Sequence, residues 1–213
     1  MPGLRERQKA DREQRILAAA VTRFRAEGYR SVRIEDLAEM AEVSVGTVYN
    51  YYQTKGDILI AVVAMEVEEV LEAGTALVAN PPRGVEEALL TLIHGYYDHS
   101  LEYLSKEMWR MAMALSIEAP GTPNGARYSD LDRRLSAQVT DLIAALQVRG
   151  EVRRDLDARA LGDLLFNNLN QMFIEFVRDD DMTLDSLKAR VAEQTRPVAR
   201  LIAVAAPPAQ VRP

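Results

Sequence analysis

Apolar residues recur at helical spacing almost from one end of the chain to the other. Ile16, Leu17, Ala20, Val21 and Phe24 form one stripe, which Gly28 ends. Ile34, Leu37, Ala38 and Ala41 form a second helix of about two turns. Glu42-Val43 then predicts a tight turn, and Ser44 is a good N-cap for a short helix reaching Tyr51. A long helix follows from about Gly56 toward Val78 and stops at Pro81-Pro82-Arg83-Gly84. The next runs from Val85 to about Lys106, carrying Leu89, Leu92, Ile93, Tyr96, Tyr97 and Leu101, and a shorter one covers Met108 to about Ile117. Residues 120–125, with two prolines and two glycines, give the clearest loop signal. Helices from Leu131 to Val148, from a cap at Asp157 to about Arg178, and from Leu184 to Ala205 complete the pattern before a Pro-rich tail. Val/Ile alternation with turn dipeptides is absent, so the spacing predicts an all-α protein.

The segment from Ser44 to Lys55 has unusual chemistry for its length. Thr47, Tyr49, Asn50 and Tyr51 crowd hydroxyl, phenol and amide groups onto one short helix, and Lys55 lies just beyond. Such a helix buries little, and phosphate oxygens and base edges are the partners that suit this set. Two short helices joined by a tight turn, the second exposing polar groups, describe a helix-turn-helix whose second helix enters the major groove. An ordinary three-helix segment with a polar surface has the same spacing.

From Ile16 to about Leu59 the chain resembles the N-terminal domain of TetR-family transcriptional regulators. The resemblance lies in I-L-A-A-A-V-x-x-F at 16–24, Gly28-Tyr29, D-L-A at 36–38, V-S-V-G-T-V-Y-N-Y-Y at 43–52 and Lys55. It covers about the first quarter of the chain. It implies an N-terminal three-helix helix-turn-helix DNA-binding domain over 1–54, a larger helical ligand-binding and dimerisation domain over 55–206, and a C-terminal tail at 207–213. Ser44, Val45, Gly46, Thr47, Tyr49, Asn50, Tyr51 and Lys55 become the expected DNA-binding residues. Thr47 would contact a phosphate or thymine methyl, Tyr49 and Tyr51 would bond phosphates, and Lys55 would clamp another. Val45 and Asn50 face base edges in this scheme, and Gly46 lets the helix sit close. Two positions depart from the family pattern. Arg33 stands where a capping Thr or Ser is usual, which replaces a cap with a phosphate or minor-groove ligand; Tyr52 stands where phenylalanine is commoner.

Net charge is −6, which becomes informative only when divided along the chain. Residues 1–33 hold nine Lys/Arg against four Asp/Glu, whereas residues 56–213 hold sixteen against twenty-four. Positive charge therefore lies in the segment expected to approach DNA, and the acidic remainder is held away from phosphates. Arg5, Arg7, Lys9, Arg12 and Arg15 form a basic tail that reaches DNA or is simply solvated and frayed. With no cysteine there is no thiolate metal or redox site. No apolar run approaches a membrane span, so a cytoplasmic protein is expected.

The helix from Asp157 to Arg178 is apolar on two sides and must be covered twice. Leu161, Leu165, Leu169 and Phe176 on it, with Leu187, Val191, Val198 and Leu201 on the last helix, are the expected homodimer interface. The resemblance implies a four-helix arrangement there. A dimer also follows because one recognition helix reads too few bases for specificity. The resemblance implies an effector cavity too, for which Tyr96, Tyr97, Tyr103, Met108, Trp109, Met111, Met113, Asn167, Asn170, Gln171 and Phe173 are candidates. Aromatics, methionines and a few amides suit a small, largely apolar molecule. The amides of this helix either face that ligand or zip the dimer.

An enzyme needs a catalytic set, and little is on offer. His94 and His99 lie five residues apart, roughly 140° round a helix, and do not converge on a metal. No H-E-x-x-H, G-x-S-x-G or phosphate-binding glycine loop occurs. Asp179-Asp180-Asp181 reads as a solvated turn rather than a metal site. A helical adaptor that binds only proteins leaves the polar short helix without a purpose. The expected function is a ligand-responsive repressor, homodimeric on a palindromic double-stranded operator, with no cofactor, catalytic residue or metal.

Overall fold

In a computed structural model, residues 3–204 are described, and they form an all-helical architecture. Four helices build the N-terminal unit: α1 (Leu4–Glu27), α2 (Ile34–Met40), α3 (Val45–Tyr51) and the first turns of α4 (Lys55–Ala79). Ile16, Ala20, Phe24, Leu37 and Val48 are buried together, and Tyr29 packs edge-on against Phe24 at 5.2 Å. Helix α1 begins well before its apolar stripe. The residues from Arg5 to Arg12 are exposed but helical, so the basic tail expected from sequence is the first turns of a helix.

The α2–α3 turn uses the backbone in a specific way. Glu42 takes the left-handed conformation at φ 52°. Its N–H bonds the Glu39 carbonyl at 3.1 Å, and the Val43 N–H bonds the Ala38 carbonyl at 3.0 Å. These two bonds satisfy the carbonyls that α2 would otherwise leave open, in a Schellman arrangement. Arg15 from α1 adds a guanidinium bond to the Ala41 carbonyl at 2.8 Å. At the other end of α2, Arg33 makes no side-chain cap; its N–H instead donates to Asp36 Oδ2 at 2.8 Å.

Helix α4 runs from the N-terminal unit into the larger one and is buried without a break from Ile58 to Ala64. Thr54 and Asp57 cap it reciprocally, at 3.1 and 2.8 Å. Around it lie α5 (Val85–His99), α6 (Lys106–Glu118), α7 (Pro123–Val148), α8 (Ala158–Arg178) and α9 (Leu184–Ile202). Helices α7 and α8 flank one another, with α7 against α4, while α9 packs on α5. Helices α7 and α8 approach closely at Gly162, where an added Cβ would sit 2.1 Å from Thr140 Oγ1. Helix α9 stops at Ile202, capped by Ala203, short of the expected end at Ala205; Ala205 and the 207–213 tail lie outside the described residues.

Two further boundaries differ from the sequence expectation. Helix α5 ends at His99 rather than near Lys106. The turn that follows is held from elsewhere in the fold: the Ser100 carbonyl accepts from Trp109 Nε1 at 2.6 Å, the Leu101 carbonyl from Arg25 at 3.0 Å, and the Tyr103 N–H donates to Glu66 at 3.2 Å. Those distant partners replace the helical bonds that local spacing favours. Conversely, α7 starts inside the expected loop. Thr122 caps it and Pro123 takes the first helical position, where its missing N–H costs nothing.

Candidate nucleic-acid interface and effector cavity

Ser44 begins the α3 site by accepting the Thr47 N–H at 3.0 Å, and its hydroxyl lies 2.8 Å from that of Thr47. Val48 is fully buried and Val45 is half-buried against the core, so these two residues anchor the helix. Tyr49 and Asn50 stand outward and Gly46 is exposed. The absence of a side chain at Gly46 serves nothing within the chain: its φ is ordinary, and an added Cβ would meet only Ser44 Oγ at 3.9 Å. Arg33 is exposed beside Glu35 at 3.4 Å, close to the same surface in sequence.

Two expected phosphate ligands have other work. Lys55 Nζ donates to the carbonyls of Tyr29 at 2.8 Å, Arg30 at 3.1 Å and Val32 at 2.8 Å, which accounts for all three of its N–H bonds. Burial also lowers its pKa from the usual lysine value. The residue ties α4 to the α1–α2 connection and has no donor left for a phosphate. Tyr51 likewise gives its hydroxyl to the Lys9 carbonyl at 3.0 Å, joining α3 to α1. The Tyr52 ring is buried, with its hydroxyl 3.3 Å from Glu13.

In the larger unit an inner cavity of about 70 Å³ lies between α4, α5, α6, α7 and α8. Five expected residues line it: Tyr96, Tyr97, Trp109, Asn170 and Phe173. Trp109 meets Phe173 edge-on at 5.1 Å, and Phe173 stacks on Tyr97 at 6.1 Å. The two tyrosines present rings rather than hydroxyls, because Tyr96 donates to Gln138 and Tyr97 to the Leu169 carbonyl, each at 2.7 Å. An outer cleft of about 670 Å³ adjoins it and contains Met113. Tyr128, Asp132 and Asn170 line both spaces and form their common wall.

The remaining cavity candidates lie elsewhere. Tyr103 bonds Glu69 at 3.0 Å at the surface, Met108 is core, and Met111 borders a separate groove beside Arg30. Asn167 and Gln171 are exposed on the outer face of α8. Sequence reasoning missed Glu66, Tyr128 and Asp132. Glu66 carried a signal, being a carboxylate amid Val63, Val67 and Val70; Tyr128 and Asp132 were hidden by the misplaced start of α7.

The expected interface stripe also needs correction. Leu165, Leu169, Phe176, Leu187 and Val191 are buried in the chain's own core, and Leu161 and Val198 are half-buried against it. Their apolar surface is already covered within one chain. Of that set only Leu201 projects, at 73% exposure; Leu164, at 58%, joins it as an exposed leucine.

Residues 16–62 match the sequence model of bacterial regulatory proteins of the tetR family. The chain's first quarter therefore carries a tetR-family domain. It is 36% identical over 72 residues to the HTH-type transcriptional repressor KstR of Rhodococcus jostii, covering 34% of this chain. That match spans 32% of KstR, about a third of its length. The fatty acid metabolism regulator protein of Bacillus subtilis is 23% identical over 178 residues, covering 82% of this chain and 88% of its own. Among solved structures, FadR from Bacillus subtilis in complex with stearoyl-CoA shares the fold with a TM-score of 0.63 at 20% identity, covering 84% of this chain and 95% of its own. These relatives are regulators. No helix among the described residues is long and apolar enough to cross a membrane.

Proposed function

We propose that the chain is a homodimeric repressor that binds a palindromic operator through α3 and is released by a small, largely apolar effector. Residues 1–54 carry the DNA contacts, residues 55–206 carry effector binding and dimerisation, and the protein acts in the cytoplasm. The observation that carries the DNA reading is the outward face of α3, where Gly46 lacks a side chain for no internal reason beside exposed Tyr49 and Asn50. A helix built this way gains from close approach to base edges. Arg33, Ser44, Val45, Thr47, Tyr49 and Asn50 make the contacts, while Tyr51 and Lys55 hold the helix in place. Dimerisation uses the outer faces of α8 and α9, with Leu164, Leu201 and the exposed amides Asn167 and Gln171.

Helix α4 supports a coupling between the two ends. Lys55 at its start grips the α1–α2 connection, and Glu66 and Val70 farther along border the cavity. Eleven residues of helix separate Lys55 from Glu66, roughly 16 Å. An effector that favours a different tilt of α4 changes the spacing of the two recognition helices, and operator affinity falls by the ratio of its affinities for the two states. The stearoyl chain of the stearoyl-CoA held by FadR supports an apolar body for the effector. Selection of bound duplexes from a randomised library tests the operator reading: an inverted repeat is expected, and enrichment of a single half-site or of nothing overturns it.

A further inference from the structure

The inner cavity has walls of one chemical kind and a polar neck of another. Aromatic rings from α5, α6 and α8 surround it, and their hydroxyls and indole N–H are already bonded within the chain. Its ionisable side chains are carboxylates and phenols; neither Lys nor Arg lines it. The two carboxylates differ in their surroundings. Glu66 faces His99 Nδ1 at 3.0 Å and accepts the Tyr103 N–H at 3.2 Å, so its charge is met from behind the cavity wall. Asp132 has no such support: neither it nor Tyr128, one helical turn away, hydrogen-bonds to any described residue. Burial pushes the Asp132 carboxyl up to about 6, with no neighbouring cation to oppose it.

Asp132 is half-buried, and beside an apolar cavity its carboxylate keeps acceptor capacity that no group of the described residues meets. Its position in the shared wall puts it where a ligand with its body in the cavity would present a polar end. We infer that the effector is an amphipathic amine, whose protonated nitrogen is held at the neck by Asp132 with Tyr128 and Asn170 while its apolar body fills the aromatic cavity. The carboxylate takes N–H donors, the Tyr128 hydroxyl and the Asn170 carbonyl take or give a further bond, and the rings favour a cation near their faces. A carboxylate at the same neck would meet like charge. Two guanidinium groups border the outer cleft: that of Arg110 is occupied, bonding the Val177 carbonyl and Asp180, and that of Arg178 stands about 12 Å along α8 from Asn170, outside the walls of the inner cavity. This inference rests on the effector reading above and adds the charge of the ligand to it.

Trp109, the single tryptophan, lies in the cavity wall and reports occupancy without DNA. The test is titration of the full-length protein at pH 7.5 with n-hexylamine, n-hexanol and n-hexanoate, following Trp109 fluorescence. Hexylamine is expected to bind at least tenfold more tightly than hexanol, and hexanoate more weakly than either. In Asp132→Asn, with its folding checked by thermal melting, hexylamine should fall to the affinity of hexanol while hexanol is unchanged. Hexanoate binding as tightly as hexylamine, or Asp132→Asn leaving hexylamine unaffected, overturns the inference. Absence of any response to all three overturns the cavity as a ligand site. If hexylamine saturates Trp109 with the expected preference but leaves the selected duplex bound, the amine site stands and the release reading fails.

Discussion

Lys55 Nζ lies 4.6 Å above the centre of the Tyr29 ring and donates 2.8 Å to the carbonyl of the same residue. With its bonds to Arg30 and Val32, the ammonium closes the connection between α1 and α2 onto the start of α4. Replacing it by methionine keeps the apolar stem but strands three carbonyls and a cation–π contact. Lys55→Met should lose roughly 2–3 kcal/mol of stability in denaturant unfolding. Where the variant is still folded, the slope of log operator affinity against log salt should match the parent, since a phosphate contact would contribute about −0.9 to that slope. A slope reduced by that amount would show that Lys55 reaches DNA after all.

The same residue shows where sequence reasoning stopped. The order of helices, the α2–α3 turn and the short helix α3 are legible, because apolar spacing and an N-cap serine are local signals. The use made of Lys55 and Tyr51 was not, since each is satisfied by backbone groups more than twenty residues away. The α8 stripe failed for a related reason. Periodicity shows that two faces are apolar but not which neighbour covers each, and α7 and the core took the side that had been assigned to a partner. The α5 end depended on Arg25, Trp109 and Glu66, none of them local.

Gly162 is needed for how closely α7 and α8 lie. Besides Thr140 Oγ1, an added Cβ would come within 2.8 Å of the Thr140 Cα, which belongs to a rigid helix. Gly162→Ala should destabilise the fold by about 1–3 kcal/mol despite the gain in helix propensity. Thermal unfolding measures it; a melting point equal to or above the parent would mean that the helices can separate at little cost.

Glu42 occupies a backbone region that costs an ordinary residue about 1–2 kcal/mol relative to the right-handed helix. Its side chain is exposed, so replacing it loses little contact. Glu42→Gly should therefore stabilise the protein by roughly 0.5–1 kcal/mol, net of the greater freedom of glycine in the unfolded chain. Glu42→Val should destabilise it by at least as much, because a branched side chain tolerates this conformation worse. Equal melting points for the two variants would show that the turn relaxes out of the left-handed conformation.

Asp132 makes stability depend on pH in a direction opposite to that of an ion-paired carboxylate. Its pKa rises from 3.8 to about 6 on folding, with burial as the cause. Between those values the unfolded chain releases the proton while the folded chain keeps it, so this group lowers stability as pH rises from about 4 to 6. Above 6 the penalty is fully present and constant. Asp132→Asn removes it, and should be more stable than the parent by about 1–3 kcal/mol at pH 7.5. The advantage should shrink as the pH falls through 6 and vanish near 4. Chemical unfolding of both proteins across that range measures the difference directly. An advantage that persists unchanged at pH 4 would trace to packing or hydrogen bonding of the amide, and the carboxylate at the cavity neck would then be solvated rather than held in reserve for a cation.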